Sequence, residues 1–254
     1  FLNRRIPMGS VSKLVTVLYL ACERKDLFYN HRYRCAADRY DKNLPEKCWE
    51  PGGHSSMDLR SAIYNSCNLY FASFYSVIDM NKYLAWVKNF AQETGIDIDL
   101  PAPGDNREFS LILAGLDFSA TVSIRGLVKL AMLVSPSDQS DDRILAFRKK
   151  IRADEFNVIR SALCSTMTIG TGSHCGDNGN ARLEEYKRIS AWGKTGTVIS
   201  GTNSHCGYGI FIGGYGRFGI VSVLRKGTGA MAADYSGNVI ILGSKKDGYN
   251  DKIF

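Results

Sequence analysis

Residues Tyr208–Tyr215 and Phe218–Arg225 form two runs rich in aromatic and β-branched side chains, separated by Gly216 and Arg217 alone. Two such runs joined across so short a glycine-containing gap predict an antiparallel hairpin. A third strand-like run, residues 188–197, comes shortly before them. The earlier part of the chain has a different period. Val11, Leu14, Val15, Leu18 and Ala21 recur at helical spacing. Asp58 or Ser56 can cap a second helix that carries Leu59, Ala62, Ile63, Leu69 and Tyr70 and holds Ser66, Cys67 and Asn68 inside it. Met80–Thr94 reads as amphipathic and ends at Gly95, a left-handed cap. Residues 120–134 and 153–167 are further helical patterns, and 230–242 reads as a closing helix. The stretches 26–51, 96–107 and 135–143 read as loops. Helices first, antiparallel strands afterwards and a helix at the end predict an α+β fold, with an antiparallel sheet flanked by helices. At 254 residues and 44% hydrophobic content, the chain has ample material for a core.

Net charge and patterning exclude some function classes. The formal charge is +7, but the basic residues are scattered and no nucleic-acid motif accompanies them, so no nucleic-acid partner is expected. No run approaches the roughly 20 apolar residues of a membrane span. Arg4 and Arg5 are followed by no apolar run before Ser10, so no signal peptide is read here. Seven cysteines favour an oxidising compartment or a metal site, and the odd count leaves at least one thiol unpaired if no metal is bound.

Three short motifs carry the chemistry. Ser10-Val11-Ser12-Lys13 opens the first helix, Ser66-Cys67-Asn68 lies in the second, and Trp192-Gly193-Lys194-Thr195-Gly196-Thr197 lies on the first strand. Ser10 and Lys13 are three residues apart, hence on one helix face and within mutual reach. A serine hydroxyl is a weak nucleophile until a base takes its proton. A lysine does this only when desolvation and neighbouring positive charge lower its pKa. The helix N-terminus also aims backbone N–H groups at a developing oxyanion. Each motif alone has a plain reading: Ser10 as an N-cap, Lys13 on the surface, Ser66 and Asn68 as helix-surface polar residues. Their occurrence together and in this order is the specific signal.

With these motifs the sequence resembles the transpeptidase domain of penicillin-binding proteins, of the class B, monofunctional type. The likeness extends through Pro7-Met8-Gly9-Ser10, Lys47-Cys48-Trp49, Gly53-His54, Met57-Asp58-Leu59, Ser66-Cys67-Asn68-Leu69-Tyr70-Phe71, Gly170-Thr171-Gly172 and Ala232-Ala233. The resemblance implies a serine β-lactamase/D,D-peptidase-like fold. It implies Ser10 as nucleophile, Lys13 as its base, Ser66 as proton relay, Asn68 on the substrate amide and Lys194 as a source of positive potential. Thr195 and Thr197 would hold the substrate carboxylate, Gly196 would let an acyl peptide lie along the strand, and the N–H groups of Ser10 and Thr197 would form the oxyanion hole. Implied partners are peptidoglycan stem peptides, β-lactam antibiotics, a membrane glycan polymerase and other wall-synthesis proteins. The implied location is extracytoplasmic, with an N-terminal anchor. In the family further strands precede the nucleophile, whereas only residues 1–9 precede Ser10, so the chain is expected to lack the first strands of the sheet. No cofactor is expected for catalysis. A β-lactamase needs a further base to activate water, and the nearest acidic pair, Glu184-Glu185, matches no such motif. A β-lactam-binding sensor or scaffold, an inactive pseudo-transpeptidase and a D,D-carboxypeptidase are the competing readings.

Cys35, Cys48, His54 and Cys67 make a second constellation. Three thiols and an imidazole suit a closed tetrahedral zinc site, although their spacing is looser than that of paired Cys-x-x-Cys ligands. The resemblance also points to metal ligands in this region. A Cys35–Cys48 disulfide with a buried Cys67 is the other reading. Ser173-His174-Cys175-Gly176 and Ser204-His205-Cys206-Gly207 are near-duplicates that suggest a Cys175–Cys206 disulfide, with free thiols or a second metal as alternatives. Cys22 and Cys164 fall in helical patterns as small core residues.

Overall fold

The computed structural model describes residues 1–36, 41–45, 48–136, 141–173, 179–198 and 207–246. In chain order, β1 (Arg5–Pro7) leads through a 3-10 turn (Gly9–Ser12) into α1 (Lys13–Glu23), then α2 (Lys25–Asn30) and the short pair β2 (Tyr33–Cys35) and β3 (Ser55–Met57). The helical part continues with α3 (Leu59–Tyr64), α4 (Asn68–Ala72), α5 (Met80–Thr94), β4 (Ile98–Asp99) and α6 (Asn106–Ala114). It is completed by β5 (Thr121–Ser123), α7 (Ile124–Val134), α8 (Asp142–Arg148) and α9 (Ala153–Thr168). Then come α10 (Gly179–Arg188), the strands β6 (Trp192–Val198), β7 (Tyr208–Tyr215) and β8 (Phe218–Arg225), and the closing helix α11 (Gly229–Lys246).

The expected hairpin is present. β7 and β8 pair antiparallel from Tyr208↔Arg225 to Tyr215↔Phe218, and Gly216 supplies the left-handed turn residue (φ 46°). β6 pairs antiparallel with β7, placing Lys194 opposite Ile212, in a sheet of order β6-β7-β8. β7 is buried along nearly its whole length, between α11 on one face and the helical part on the other. α11 turns Ala232, Ala233, Ser236 and Ile240 inward and leaves Met231, Tyr235, Val239 and Leu242 exposed. Among the described residues no strand pairs with the outer edge of β6 or of β8. No described helix is long and apolar enough to cross a membrane.

α1 lies at the centre of the helical part. Its spacing predicted one apolar face, yet every residue from Lys13 to Ala21 is buried, as befits a helix enclosed by others. β1 pairs with β5, and β5 with β4, in a small separate sheet. That pairing shortens the expected helix at 120–134. Residues 121–123 are used as strand, and the helix begins at Ile124, capped by Ser123, whose Oγ accepts from Gly126 N at 3.0 Å.

Elsewhere side-chain caps start helices at the end of one expected loop, 96–107, and inside another, 135–143. Asp105 accepts from Glu108 N at 2.8 Å and starts α6 directly after the proline-rich connector. Asp141 accepts from Ile144 N at 3.2 Å and starts α8 within the polar stretch. The strand expected from residue 188 begins only at Trp192, because Arg188 ends α10 and Ser190 turns the chain in the left-handed region (φ 50°). The proposed Cys175–Cys206 pairing lies outside the described residues.

Candidate active site

The 3-10 turn places Ser10 against β6 and at the entrance to α1. Gly9 has φ 53°, and a Cβ there would approach Thr197 O to 3.1 Å and Val198 Cγ2 to 2.9 Å, so glycine both makes the turn and permits the close approach. Ser12 Oγ donates to Gly9 O at 2.9 Å and braces the same turn. Lys13 then begins α1 with its side chain fully buried.

Ser66 and Asn68 are not inside one helix, as the periodicity had suggested. α3 starts with a capping box between Asp58 and Ser61 and stops at Tyr64. Ser66 takes a left-handed backbone (φ 53°), and α4 begins afresh with Cys67 as its cap, the sulfur accepting from Tyr70 N at 3.4 Å. A left-handed serine costs on the order of 1–3 kcal/mol and persists where the surroundings fix it. Here the break presents both the hydroxyl and the carbonyl of Ser66 to two buried lysines.

Lys13 Nζ donates to Ser66 O at 2.8 Å and to Asn68 Oδ1 at 2.6 Å, and lies 3.0 Å from Ser10 Oγ. A carbonyl and an amide oxygen can only accept, so those two contacts occupy two N–H bonds of the amine. When Lys13 is neutral, its lone pair is left for a hydroxyl, that of Ser10 or that of Ser66 at 3.3 Å. Lys194 is also fully buried and donates to Ser66 Oγ at 2.8 Å and Thr195 O at 2.8 Å. Ser66 Oγ therefore sits between two amines.

Burial lowers the pKa of Lys13 to about 8, against an opposing pull from the sulfurs of Cys67 and Cys48. Burial, and then the charge of Lys13, hold Lys194 well below the ordinary lysine range. A base works in its deprotonated form, so a step that uses Lys13 weakens as pH falls through about 8. The rate of Ser10 acylation is expected to rise about tenfold per pH unit below that value and to level off above it. Stopped-flow acylation from pH 6 to 10 tests this, and a flat profile through pH 8 would remove Lys13 from the role.

The cleft has a volume of about 420 Å³ and is lined by Ser10, Ser66, Asn68, Thr195 and Thr197. Lys194 reaches it from behind through Ser66. Thr195 Oγ1 meets Thr171 Oγ1 at 2.6 Å, and Thr197 Oγ1 accepts from Gly229 N at 2.9 Å, so β6, the Gly170-Thr171-Gly172 turn and the start of α11 form one hydroxyl-rich wall. Gly196 faces away from the cleft. A Cβ on it would meet Val11 Cγ2 at 3.0 Å, so this glycine lets the Ser10 turn pack against β6. The carboxylates of Glu184 and Glu185 lie on α10, paired with Lys187 and Arg188 respectively, and neither lines the cleft.

Trp49, Leu116, Thr171, Thr228 and Ala230 also line the cleft, and none of them has a role in the reading of the motifs. Trp49 and Thr171 stood inside motifs noted for their resemblance alone. Leu116, which follows the left-handed cap Gly115, carried no signal.

Behind Ser66, the ligand atoms of Cys35, Cys48, His54 and Cys67 lie within 4.8 Å of one another, and the three thiols are unbonded. Cys35 Sγ and Cys48 Sγ are 3.6 and 3.5 Å from His54 Nδ1, and Cys48 Sγ is 3.9 Å from Cys67 Sγ. Tetrahedral zinc with ordinary bond lengths requires S···S and S···N separations of roughly 3.8 and 3.5 Å. The donor set and spacing fit that ion. Hydrogen bonding from Cys67, then from His54, lowers Cys48 to about 3 and Cys35 to about 6, whereas Cys67 is pushed up as the proton holder. Burial opposes a charged His54, but its bonds to Cys48 and Cys35 prevail and raise it. Thiolates held together in this way are the form in which cysteine binds metal.

A helical part packed on an antiparallel sheet, with Ser-x-x-Lys, Ser-x-Asn and Lys-Thr-Gly brought to one cleft, is the architecture of the proteins that react with penicillin. The sequence matches the family profile "Penicillin binding protein transpeptidase domain" over residues 1–215, and the chain belongs to that family. No curated protein sequence matches it. Among solved structures it is similar to penicillin-binding protein 2 of Helicobacter pylori in complex with MreC (TM-score 0.72, 16% identity, 98% of this chain and 51% of that one). It is also similar to penicillin-binding protein 2 of Pseudomonas aeruginosa in complex with WCK 5153 (0.65, 15%, 99% and 62%). A third is the D,D-transpeptidase domain of a peptidoglycan glycosyltransferase from Eggerthella lenta (0.69, 16%, 97% and 67%). The chain thus spans about half to two thirds of the length of these relatives, and at such identities the likeness is one of fold.

Proposed function

We propose that the chain is a peptidoglycan D,D-transpeptidase that works through an acyl-enzyme on Ser10. The observation that carries this reading is Lys13 Nζ, buried and 3.0 Å from Ser10 Oγ, with two of its N–H bonds committed to pure acceptors. Ser10 Oγ attacks the carbonyl of the penultimate D-alanine of a stem peptide and passes its proton to Lys13. The negative oxygen that forms is held by the N–H groups of Ser10 and Thr197. The C–N bond then breaks, and the departing D-alanine amine receives a proton through Ser66, which Lys13 and Lys194 hold on either side. Asn68 Oδ1 is engaged by Lys13, which leaves its Nδ2 for a substrate carbonyl. Thr195 and Thr197 bind the terminal carboxylate. An amine from a second stem peptide attacks the ester and restores Ser10. The absence of a carboxylate from the described cleft lining favours transfer to an amine over hydrolysis. The outer edge of β6, which no described strand pairs with, suits an extended peptide laid alongside it.

The family and these relatives support an extracytoplasmic role in wall synthesis, beside a glycan polymerase and scaffold proteins. Structural relatives include a complex with MreC and a peptidoglycan synthase complex. Zinc held by Cys35, Cys48, His54 and Cys67 would tie the loop bearing Cys48 to the Ser66–Asn68 turn, supplying structure and no reaction chemistry.

Intact-mass spectrometry after incubation with benzylpenicillin tests the nucleophile. One penicilloyl adduct is expected on the parent and none on Ser10→Ala, and no adduct on folded parent protein would overturn the reading. Release of D-alanine from a stem-peptide substrate separates a transpeptidase from a sensor that is acylated without turning over.

A further inference from the structure

A second pocket, of about 390 Å³, opens beside the cleft, and none of these steps uses it. A strip of backbone separates the two. Tyr64 O accepts from Thr171 N at 3.1 Å, and a Cβ on Gly170 would come within 2.3 Å of Tyr64 O, so the turn after α9 is clamped onto the end of α3. Thr171 and Ser66 line the cleft, whereas Ile169 and Tyr64 line the pocket, each two residues away in the chain and so at most about 7 Å distant between α-carbons. Arg60 and Tyr64, four apart on α3, lie on one face of that helix. Arg32 comes in from the start of β2, because Tyr33 pairs with Met57 and sets Arg32 alongside Asp58. Arg32 Nη1 donates to Tyr29 O at 2.9 Å and to His31 O at 3.0 Å, and Arg60 Nη2 reaches Ser165 Oγ at 3.4 Å. The other N–H groups of both guanidiniums have no hydrogen-bond partner among the described residues. Asp58 Oδ1 accepts from Ser61 N at 2.8 Å and from Ser61 Oγ at 2.5 Å, so its carboxylate is engaged by its own helix and the two guanidiniums leave the pocket positive.

We propose that this pocket seats a carboxylate of the acceptor stem peptide, held by Arg32 and Arg60. The proposal rests on the transpeptidase reading of the cleft. In that reaction the attacking amine enters where the D-alanine amine has left, because opening the ester with an amine is the reverse of the step that released one. Thr195 and Thr197 hold the departing D-alanine, and Thr171, whose hydroxyl meets that of Thr195 at 2.6 Å, belongs to the same wall and borders the pocket. An acceptor with its amine at the Ser10 ester therefore runs on past Thr171 into the pocket. Guanidinium groups bind carboxylates through paired N–H···O bonds, which separate an acidic peptide from a neutral one. Ile169, 61% exposed, offers apolar surface to the aliphatic part of the same peptide. An acceptor whose carboxylates are amidated loses both charged pairs.

The test compares, in transfer from an acyl donor, an acceptor stem peptide that has free carboxylates with the same peptide amidated at those groups. In the double variant Arg32→Gln, Arg60→Gln the KM for the acidic acceptor is expected to rise about tenfold, and that for the amidated acceptor to change by less than about twofold. Each single variant should give about threefold, since exposed charge pairs are individually weak. Arg4→Gln removes the same charge outside the pocket and should keep the preference for the acidic acceptor. An equal rise for both acceptors, or none for either, overturns the proposal. Binding of the two peptides to Ser10→Ala, followed by fluorescence anisotropy at low salt, gives a reading independent of turnover. The acidic peptide must bind there more tightly than its amide, and that preference must vanish when both arginines are replaced. If the parent transfers no acyl group but the preference behaves as stated, the transpeptidase reading fails and the carboxylate seat stands. If the preference is absent, or survives the loss of both arginines, the seat fails whatever the turnover result.

Discussion

Replacing Lys13 by methionine is expected to slow acylation of Ser10 by benzylpenicillin about 10³-fold, within the range that a positioned base contributes. Methionine fills similar space but removes the atom 3.0 Å from Ser10 Oγ. It also leaves Ser66 O and Asn68 Oδ1 without the donor they now share, at about 1–3 kcal/mol for each buried acceptor left unpaired. Loss of a buried amine that burial already holds near pKa 8 offsets part of that cost. The variant should therefore fold with a modestly lowered melting temperature, followed by circular dichroism, while intact-mass kinetics report the chemistry. Lys13→Arg keeps the positive charge but cannot give up its proton, and a comparable loss is expected. Arginine activity within tenfold of the parent would show that Lys13 acts by charge and not as the base.

Removing metal from the Cys35–Cys48–His54–Cys67 site is expected to lower the melting temperature by about 10 °C. That corresponds to about 3–4 kcal/mol in a domain of this size. Native mass spectrometry of protein purified without chelator should show one bound zinc, lost together with that stability on chelation. Cys48→Ala should reach the same lowered melting temperature and no longer respond to chelator, whereas Cys22→Ala should keep the response. The large effect follows from position. Cys67 lies between Ser66 and Asn68, caps α4 through Tyr70 N, and is 3.9 Å from Cys48 on a loop that also carries Trp49. Freed from one another, the thiols leave the left-handed Ser66 without one of its constraints, so acylation should slow as well. A parent indifferent to chelator, with a mass two protons short, would establish a disulfide in place of the metal.

Much of the site was legible in the sequence because its motifs are local. Ser10 and Lys13 share a face through helical geometry alone, and Lys194 and Thr195 follow from one strand. The hairpin at Gly216 and the closing helix were equally local, since turn chemistry and period act over a few residues. Other features depended on atoms distant in sequence. Ser66 could not be read as a break between helices, because its left-handed backbone is sustained by Lys13 and Lys194, at 3.3 and 2.8 Å from its hydroxyl. Thr121–Ser123 became a strand only because β1 and β4 lie on either side of it. Trp49 and Leu116 reach one cleft from distant positions in the chain, which no spacing encodes.

The amino-acid sequence by itself determined the succession of helices, three antiparallel strands and a closing helix, the three motifs, and the donor set of the cysteine–histidine cluster, since each rests on residue type and short-range period. The tertiary structure alone decided that both lysines are buried around one serine hydroxyl, that four ligand atoms from separated positions converge within 4.8 Å, and that residues of all three motifs line one cleft. Desolvation, which brings Lys13 to about 8, belongs to the packed fold, because no residue is removed from water by its immediate neighbours in the chain.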